Sequence, residues 1–472
     1  MYKFVKNYDE ILNSSLNNSV HVLRKLALDC LEIGISSVLP KEMIIKSIRI
    51  DNAILSIGQN RYDLKKYDTI YIIGGGKASA EMSYAIEQML KKVKDISYKG
   101  IINVPIDTPY KNLNLSDKIV INEANHPIPD EMGFLGTKNM IELISKSTKN
   151  DLFIILISGG GSALLTLPKN GISLEDLKKM NELLLNSGAS IQEINTIRKH
   201  VSEFKGGNLA RKIYETSNGQ VICLIISDVV GNELDMIASG PTVPDSTNYK
   251  DAIKVLEKYE LYDKFPSSIT EVIEAGKNNP KMENPKEGDP CFQNVLNVLI
   301  GSVEIAIKAI TNYLESSSFK VHKLKYPFQG EARNYGSFLA CYLMRKLDED
   351  RLIKPNALIG SGELTVTITG KGKGGRNQEM LLSILNALLN GNLKKHFLVL
   401  GVNLDGIEGN SKAMGALIDN QVCSEIIKKN LNLESYLAEN DSNSFFQEVK
   451  TQIITGPTGV NVNDIILLFT QK

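Results

Sequence analysis

"LFIILISGGGSALL" occupies Leu152–Leu165. Leu152–Ile157 is an unbroken apolar run of strand length, the pattern of a strand covered on both faces. Ser158, Gly159, Gly160, Gly161 and Ser162 follow, and then a run of small and apolar residues. Glycines let the backbone take positive φ and approach another group closely, and Ser162 can cap whatever comes next. A strand, a glycine turn and exposed amides make a seat for an anion. The same residues also make a tight strand-to-helix corner that binds nothing, and the stretch alone does not separate the two. It is neither a Walker A loop nor a Gly-x-Gly-x-x-Gly fingerprint.

The pattern recurs on both sides. "TIYIIGGGKASAEMSYAIEQML" (69–90) reads as strand, glycine turn and helix, and "KGIINVPI" (99–106) and "DKIVINEA" (117–124) as strands. "DEMGFLGTKNMIELI" (130–144), "LEDLKKMNELLLNSG" (174–188) and "IQEINTIRKHVSEFKGGNLARKIY" (191–214) read as helical, and "QVICLIISDVVGN" (220–232) as a strand entering a loop. The stretch up to about Ser47 is expected to be helical, with Ile11, Leu12, Val22, Leu23 and Leu26 as its buried stripe. Alternating strands and helices with apolar strand cores predict an α/β layer on a largely parallel sheet. Residues 266–292 are rich in Pro, Asn and Lys and are expected to connect domains. The expectation is an α/β protein of two domains. A larger Rossmann-like layer fills 1–265, a smaller α/β domain fills 293–472, and the active site lies in the cleft between them.

Composition narrows the function classes. A chain of 472 residues exceeds one ordinary core, and 42% hydrophobic with 23% charged residues is ordinary for a water-soluble globular protein. Lys+Arg 54 against Asp+Glu 54 argues against a broad nucleic-acid surface. Cys30, Cys223, Cys291, Cys341 and Cys423 are scattered without Cys-x-x-Cys spacing, the pattern of reduced thiols, so a cytoplasmic location is expected. No signal-peptide core and no membrane-spanning apolar run is visible. Small-molecule partners and no membrane are therefore expected, with the oligomeric state open.

Several stretches carry chemistry. Lys77 stands in a glycine turn at a helix start, against the macrodipole preference for acids there, and so is aimed at an anion or lies on the surface. His126, in "NEANHPIPDEMG", sits in a proline-stiffened loop, more in keeping with a helix lead-in capped by Asp130 than with a general base. Arg198 and Lys205 lie seven apart beside the apolar stripe Ile194, Ile197, Val201 and Phe204, where they either clamp a phosphate or carboxylate or form a solvated basic edge. Asp228 ends an apolar strand, where α/β sheets gather ligands, and can accept a proton or hold a metal ion. Asp235 and Asp245 read as loop caps. "GKGKGGRNQE" (370–379) matches Gly-x-Gly-x-x-Gly, but its lysines and Arg376 suit free phosphoryl oxygens better than a dinucleotide. Asp405 ends another strand, and "TGPTGVNVND" (455–464) either faces the site or closes the fold.

Together "SGGGSALL", "SGASIQEINTIRKHVSEFKGGNLA", "SDVVGNELDMIASGPTVPD", "GEARNYG", "GKGKGGRNQE" and "TGPTGVNVND" resemble class II glycerate kinase, the glycerate 2-kinase family, in family order over nearly the whole chain. The resemblance implies ATP-dependent phosphorylation of D-glycerate at the 2-hydroxyl, or at the 3-hydroxyl, with Mg²⁺. It implies that Lys77 and Arg376 face the phosphoryl group, that Asp228 activates the hydroxyl or organises the metal, and that Ser158–Ser162 hold the nucleotide phosphates. Arg198, Lys205 and Asp405 are then candidates for the substrate. Members labelled hydroxypyruvate reductase supply an alternative, an NAD(P)H-dependent reductase; a kinase for a related sugar acid is another. The chain departs from the pattern at Leu404, at Ser411-Lys412 and at Asn443.

Overall fold

The computed structural model describes residues 4–15, 17–106, 108–348, 356–389, 395–460 and 462–471. Two compact units emerge, one of residues 40–301, the other of residues 1–39 together with 302–472.

In the unit of residues 40–301, strands β1 (Ile48–Asp51), β2 (Ile54–Ile57) and β3 (Asn60–Asp63) form a small antiparallel sheet. The principal sheet comprises β4 (Ile70–Gly75), β5 (Tyr98–Pro105), β6 (Ile119–Ala124), β7 (Leu152–Ile157), β8 (Gln220–Ile226) and β9 (Val295–Gly301). Its spatial order is β6-β5-β4-β7-β8-β9, every pair parallel. This is the doubly wound dinucleotide-fold order, built outward in both directions from the central pair β4 and β7. All six residues of β7 are buried, as its continuous apolar run predicts. Tyr71, Phe153, Ile155, Val221 and Cys223 on one face pack with Met140 and Ile144 of the helix Glu131–Ile144 and with Leu209 and Ile213 of the helix Asn208–Thr216.

Residues 266–292, expected as a connection, belong to this unit. The helix Ser267–Asn278 buries Ile269 and Ile273 in a helical cluster with Met180, Ile197 and Leu256. The compact unit runs on to Gly301 because β9 completes the parallel sheet beside β8.

The other unit contains β10 (Lys320–Lys323), β11 (Phe328–Glu331), β12 (Asn356–Thr365), β13 (His396–Asn403), β14 (Gly415–Asp419), β15 (Gln452–Ile453) and β16 (Asp464–Gln471). Here β10 and β11 pair with β12 in parallel, but β12/β16, β16/β13, β13/β14 and β14/β15 are antiparallel. The N-terminal helices Tyr8–Asn13 and Asn18–Ser37 form as expected, with Ile11, Leu12 and Leu23 of the expected stripe buried but Val22 exposed and Leu26 half-buried, and they belong with this unit. Fully buried Arg24 explains why: its Nε donates to Asp419 Oδ2 at 2.7 Å, an ion pair buried on both sides. Among the described residues no helix is long and apolar enough to cross a membrane.

Candidate active site

The topological switch between β4 and β7 puts two glycine turns side by side at the carboxyl ends of neighbouring strands. Lys77 N donates to Gly159 O at 2.9 Å, and the Ser158 hydroxyl accepts from Ala78 N at 3.0 Å. A Cβ on Gly76 would lie 2.1 Å from Ser158 Oγ, so the closeness of the two turns itself demands glycine. Ser158 is fully buried and holds the turns together, whereas Ser162 lies on the open side.

Gly160 takes a left-handed conformation (φ 83°, ψ −8°) and starts the short helix Gly161–Leu164. Among the described residues, the N–H groups of Gly159, Gly160 and Ser162 have no protein acceptor. The opening stretch therefore presents three unspent backbone donors around a left-handed turn, a concavity suited to anions. His126 arrives from the loop after β6; a Cβ on Gly160 would stand 3.1 Å from its Nε2 and 3.6 Å from Lys77 Cγ. Burial, and then the nearby Lys77 charge, hold the His126 imidazole below its ordinary pKa, so it is neutral at pH 7.

His126, Gly160 and Ser162 border a cavity of about 670 Å³. His126, Gly160, Ser162, Arg198 and Lys205 line it, with Leu177, Met180 and Leu185 as an apolar wall. Arg198 extends from the helix Ile191–His200 and donates through Nε to Asn181 Oδ1 at 2.8 Å. That helix ends at His200, so Lys205 sits in the following turn rather than on a shared helical stripe. Lys205 Nζ donates to Leu165 O. Burial, reinforced by the Arg198 charge, pushes the Lys205 ammonium down to about 7. Among the described residues neither Arg198 nor Lys205 makes an ion pair. The wall acids Glu175 and Glu182 already pair with Lys178 and Lys179. A cavity in which half-buried Arg198 and buried Lys205 are not ion-paired, while the wall acids are held by other lysines, is electrostatically prepared for an anion.

Asp228 lies two residues beyond β8, half-buried at the same carboxyl edge, but neither it nor Lys77 is among the described residues lining the cavity. Asp245 accepts from Thr247 N at 3.0 Å, and Asp235 pairs with Lys199 at 2.9 Å; both are structural. Two contributors escape sequence inspection. Ser239 Oγ lies 3.2 Å from Ser162 Oγ and donates to Asn195 Oδ1 at 3.1 Å. Ala238, Ser239 and Gly240 are consecutive left-handed residues (φ 50°, 58° and 61°), a costly run of the kind that clusters at functional sites. The one visible signal was "ASGP", whose glycine suggests a turn but not its strain.

In the other unit, Arg376 begins the helix Arg376–Leu388 after the Gly-x-Gly-x-x-Gly loop. Its guanidinium is held by Asp464, with Nε–Oδ2 2.6 Å and Nη2–Oδ1 2.8 Å, and by Glu363 at 2.7 Å. Glu408 accepts from Asn377 N at 2.9 Å and Gln378 N at 3.0 Å, occupying the helix N-terminus with the protein's own carboxylate. Burial raises Glu408 to about 7. A cavity of about 410 Å³ borders this loop. Asp405 is half-buried, and its carbonyl accepts from Thr458 N at 3.0 Å, so "TGPTGVNVND" closes on the 404–406 turn; Asn461 lies outside the described residues. Of the departures, Leu404 is buried in the core, Lys412 is exposed, and Asn443 is buried with its amide on Gln378 Oε1 at 2.9 Å.

Comparison with known proteins now bears on the chain. A family model described as a domain of unknown function (DUF4147) matches residues 26–274, and the MOFRL family model matches residues 356–464. The glycerate 2-kinase of Pyrococcus horikoshii is 38% identical over 451 residues, covering 94% of this chain and 98% of its own. The chain belongs to the glycerate kinase family. Thermotoga maritima D-glycerate 2-kinase is 34% identical, again over 94% of this chain and 98% of its own. A crystal structure of the Thermotoga maritima glycerate kinase superposes with a TM-score of 0.80 at 34% identity, covering 95% of this chain and all of that one.

Proposed function

We propose that the protein transfers the γ-phosphoryl group of ATP to a hydroxyl of D-glycerate, giving 2-phosphoglycerate or its 3-isomer. The observation that carries the reading is the cavity wall in which half-buried Arg198 and buried Lys205, among the described residues, make no ion pair. A hydroxy-acid carboxylate supplies the missing negative charge. The amides of Gly159, Gly160 and Ser162 receive phosphate oxygens, and Lys77 neutralises charge on the transferred group. Asp228 accepts the proton as the hydroxyl oxygen bonds to phosphorus and the bond to ADP breaks. Transfer of this kind depends on positioning and charge neutralisation, which these groups provide.

Among the described residues no cluster of three or more His, Cys, Asp and Glu could hold a metal ion. Mg²⁺ commonly takes one or two carboxylates with the rest from phosphates and water, so Asp228 fits as its protein ligand. When bound, it would offset the negative charge on the phosphate oxygens. Roles for Arg376 and Asp405 in the transfer rest on the family resemblance rather than on this cavity. The reductase alternative loses its fingerprint, because Glu408 fills the helix start that a dinucleotide pyrophosphate would need.

The test incubates the purified protein with ATP, Mg²⁺ and D-glycerate and identifies the product isomer by NMR. ADP is expected to form only when the hydroxy acid is present. Consumption of NADH with hydroxypyruvate while ATP stays intact would refute the kinase reading.

A further inference from the structure

A second cavity of about 340 Å³ lies back to back with the first. The dividing wall is a narrow antiparallel ladder in which Pro168 bridges Ser202, Lys169 N donates to Val201 O at 2.9 Å and Glu203 N donates to Leu167 O at 2.9 Å. Side chains alternate across such a ladder. Pro168 and Ser202 face the large cavity, while Lys169 and Glu203 face the smaller one.

The smaller cavity is strongly cationic. Lys169, Arg211, Lys212 and Lys281 line it against Glu203 and Glu215. Lys169 Nζ donates to Tyr249 Oη at 2.6 Å and to Met282 O at 3.2 Å, both uncharged acceptors. Among the described residues Lys169 makes no ion pair. Half-buried Lys169 shares the cavity with Glu203 but, among the described residues, has no carboxylate in ion-pair contact, which leaves positive charge that a mobile anion would offset. Arg211 donates through Nη1 to Glu283 O at 2.8 Å and stands 3.8 Å from Asp289 through Nη2. Lys212 and Lys281 are exposed at the mouth.

We propose that this cavity is a second anion site, for a small phosphate-bearing ligand, separate from the site of phosphoryl transfer. Its chemistry suits inorganic phosphate or a phosphate monoester, and nothing in it recognises a base or a sugar ring.

The test compares melting temperatures of the full chain in rising inorganic phosphate, and separately in glycerol 2-phosphate, at ionic strength held constant with sodium chloride. Lys212→Glu/Lys281→Glu reverses the mouth while leaving the large cavity untouched, so its basal kinase turnover should be unchanged. Lys65→Glu/Lys66→Glu, two exposed lysines elsewhere in the same unit, makes the same change of net charge. Expected is a saturable rise in the wild type and in the Lys65/Lys66 control, with apparent affinity at least about tenfold weaker in the Lys212/Lys281 variant. A larger response to glycerol 2-phosphate identifies a monoester site, and a larger response to phosphate a free-phosphate site. No rise in the wild type, an equal rise in all three proteins, or an equal loss in both variants overturns the proposal. The kinase assay on the same preparations is independent of these readouts, so failure here leaves the proposed reaction standing.

Discussion

Replacing Lys205 with methionine separates a binding cation from a structural one. Lys205 is buried, donates to Leu165 O and, among the described residues, has no carboxylate partner. Its ammonium titrates at about 7 in the folded protein, against about 10.4 for an unfolded lysine. Below pH 7 the native state carries a charge that its surroundings disfavour. Between pH 7 and about 10 the unfolded chain binds the extra proton, so stability rises with pH over that window. Lys205→Met removes the penalty, and the variant should melt no lower than the wild type at pH 6.5. Its KM for D-glycerate should nevertheless rise, because a charged hydrogen bond to the carboxylate is worth about 1.5–3 kcal/mol, about 10- to 150-fold. The wild type adds a pH signature. Anion binding needs the protonated amine, so KM for glycerate should rise about tenfold between pH 6 and pH 8 for a group titrating at about 7. Lys205→Arg, charged throughout, should flatten that profile. A coupled ADP assay at fixed saturating ATP supplies KM, and scanning fluorimetry supplies the melting temperature. A pH-independent wild-type KM, or a Lys205→Met protein that melts well below wild type with unchanged KM, refutes the assignment.

Lys77→Ala and Asp228→Asn should each lower kcat by about 10²-fold or more with little change in melting temperature; near-wild-type turnover in either returns that residue to a structural role. Gly160→Ala and Gly171→Ala place Cβ at similar positive φ (83° and 90°), but only the first meets His126, at 3.1 Å. Both should cost about 1 kcal/mol of stability, and only Gly160→Ala should depress kcat/KM for ATP. Glu408 titrates at about 7 when folded, above its unfolded value, so its contribution to stability is present at low pH and lost as pH rises through 7. The melting temperature of Glu408→Gln relative to wild type should therefore climb from pH 5 to pH 8, and a constant difference would count against the burial of that charge. Arg376→Lys forfeits the two-pronged contact with buried Asp464 and should lower the melting temperature whatever it does to turnover, as thermal melts can check.

What the sequence made legible follows from how each element is buried. Strands of a parallel sheet are covered on both faces and read as continuous apolar runs, so β4, β7 and β8 stand out with the turns that end them. Three features did not stand out. The spacing Ile194, Ile197, Val201 and Phe204 keeps a helical period past the true helix end, because all four are buried although the chain has turned. The Ser202 hydroxyl offers the competing bonds, accepting from Phe204 N and Lys205 N at 3.1 Å each. Residues 266–292 have the composition of a linker, yet two isoleucines four apart suffice to dock their helix. The antiparallel pairing of the second sheet was invisible for a different reason. Its central strand, β16, comes from the end of the chain and inserts between β12 and β13, a non-local choice that no local pattern encodes.

The two glycine loops show where local reading stops. "SGGGS" and "GKGKGGR" both join a strand to a helix, and the second holds more positive charge. By charge alone it is the better phosphate seat. Glu408, about thirty residues downstream, reverses the ranking by taking the Asn377 and Gln378 amides, while Asp464 and Glu363 take Arg376. Around Gly160, among the described residues, no acid takes the backbone donors, and they remain unspent. The same contrast separates close neighbours among the lysines. Lys199 and Lys205 are both buried, but Lys199 meets Asp235 and Asp245 whereas Lys205, among the described residues, meets only a carbonyl. A motif states which donors and cations the chain can offer. Whether they serve the fold or a ligand depends on the acids brought to them from distant parts of the sequence. The charge left uncompensated in a cavity is therefore a stronger indicator of the site than the motif that supplied it.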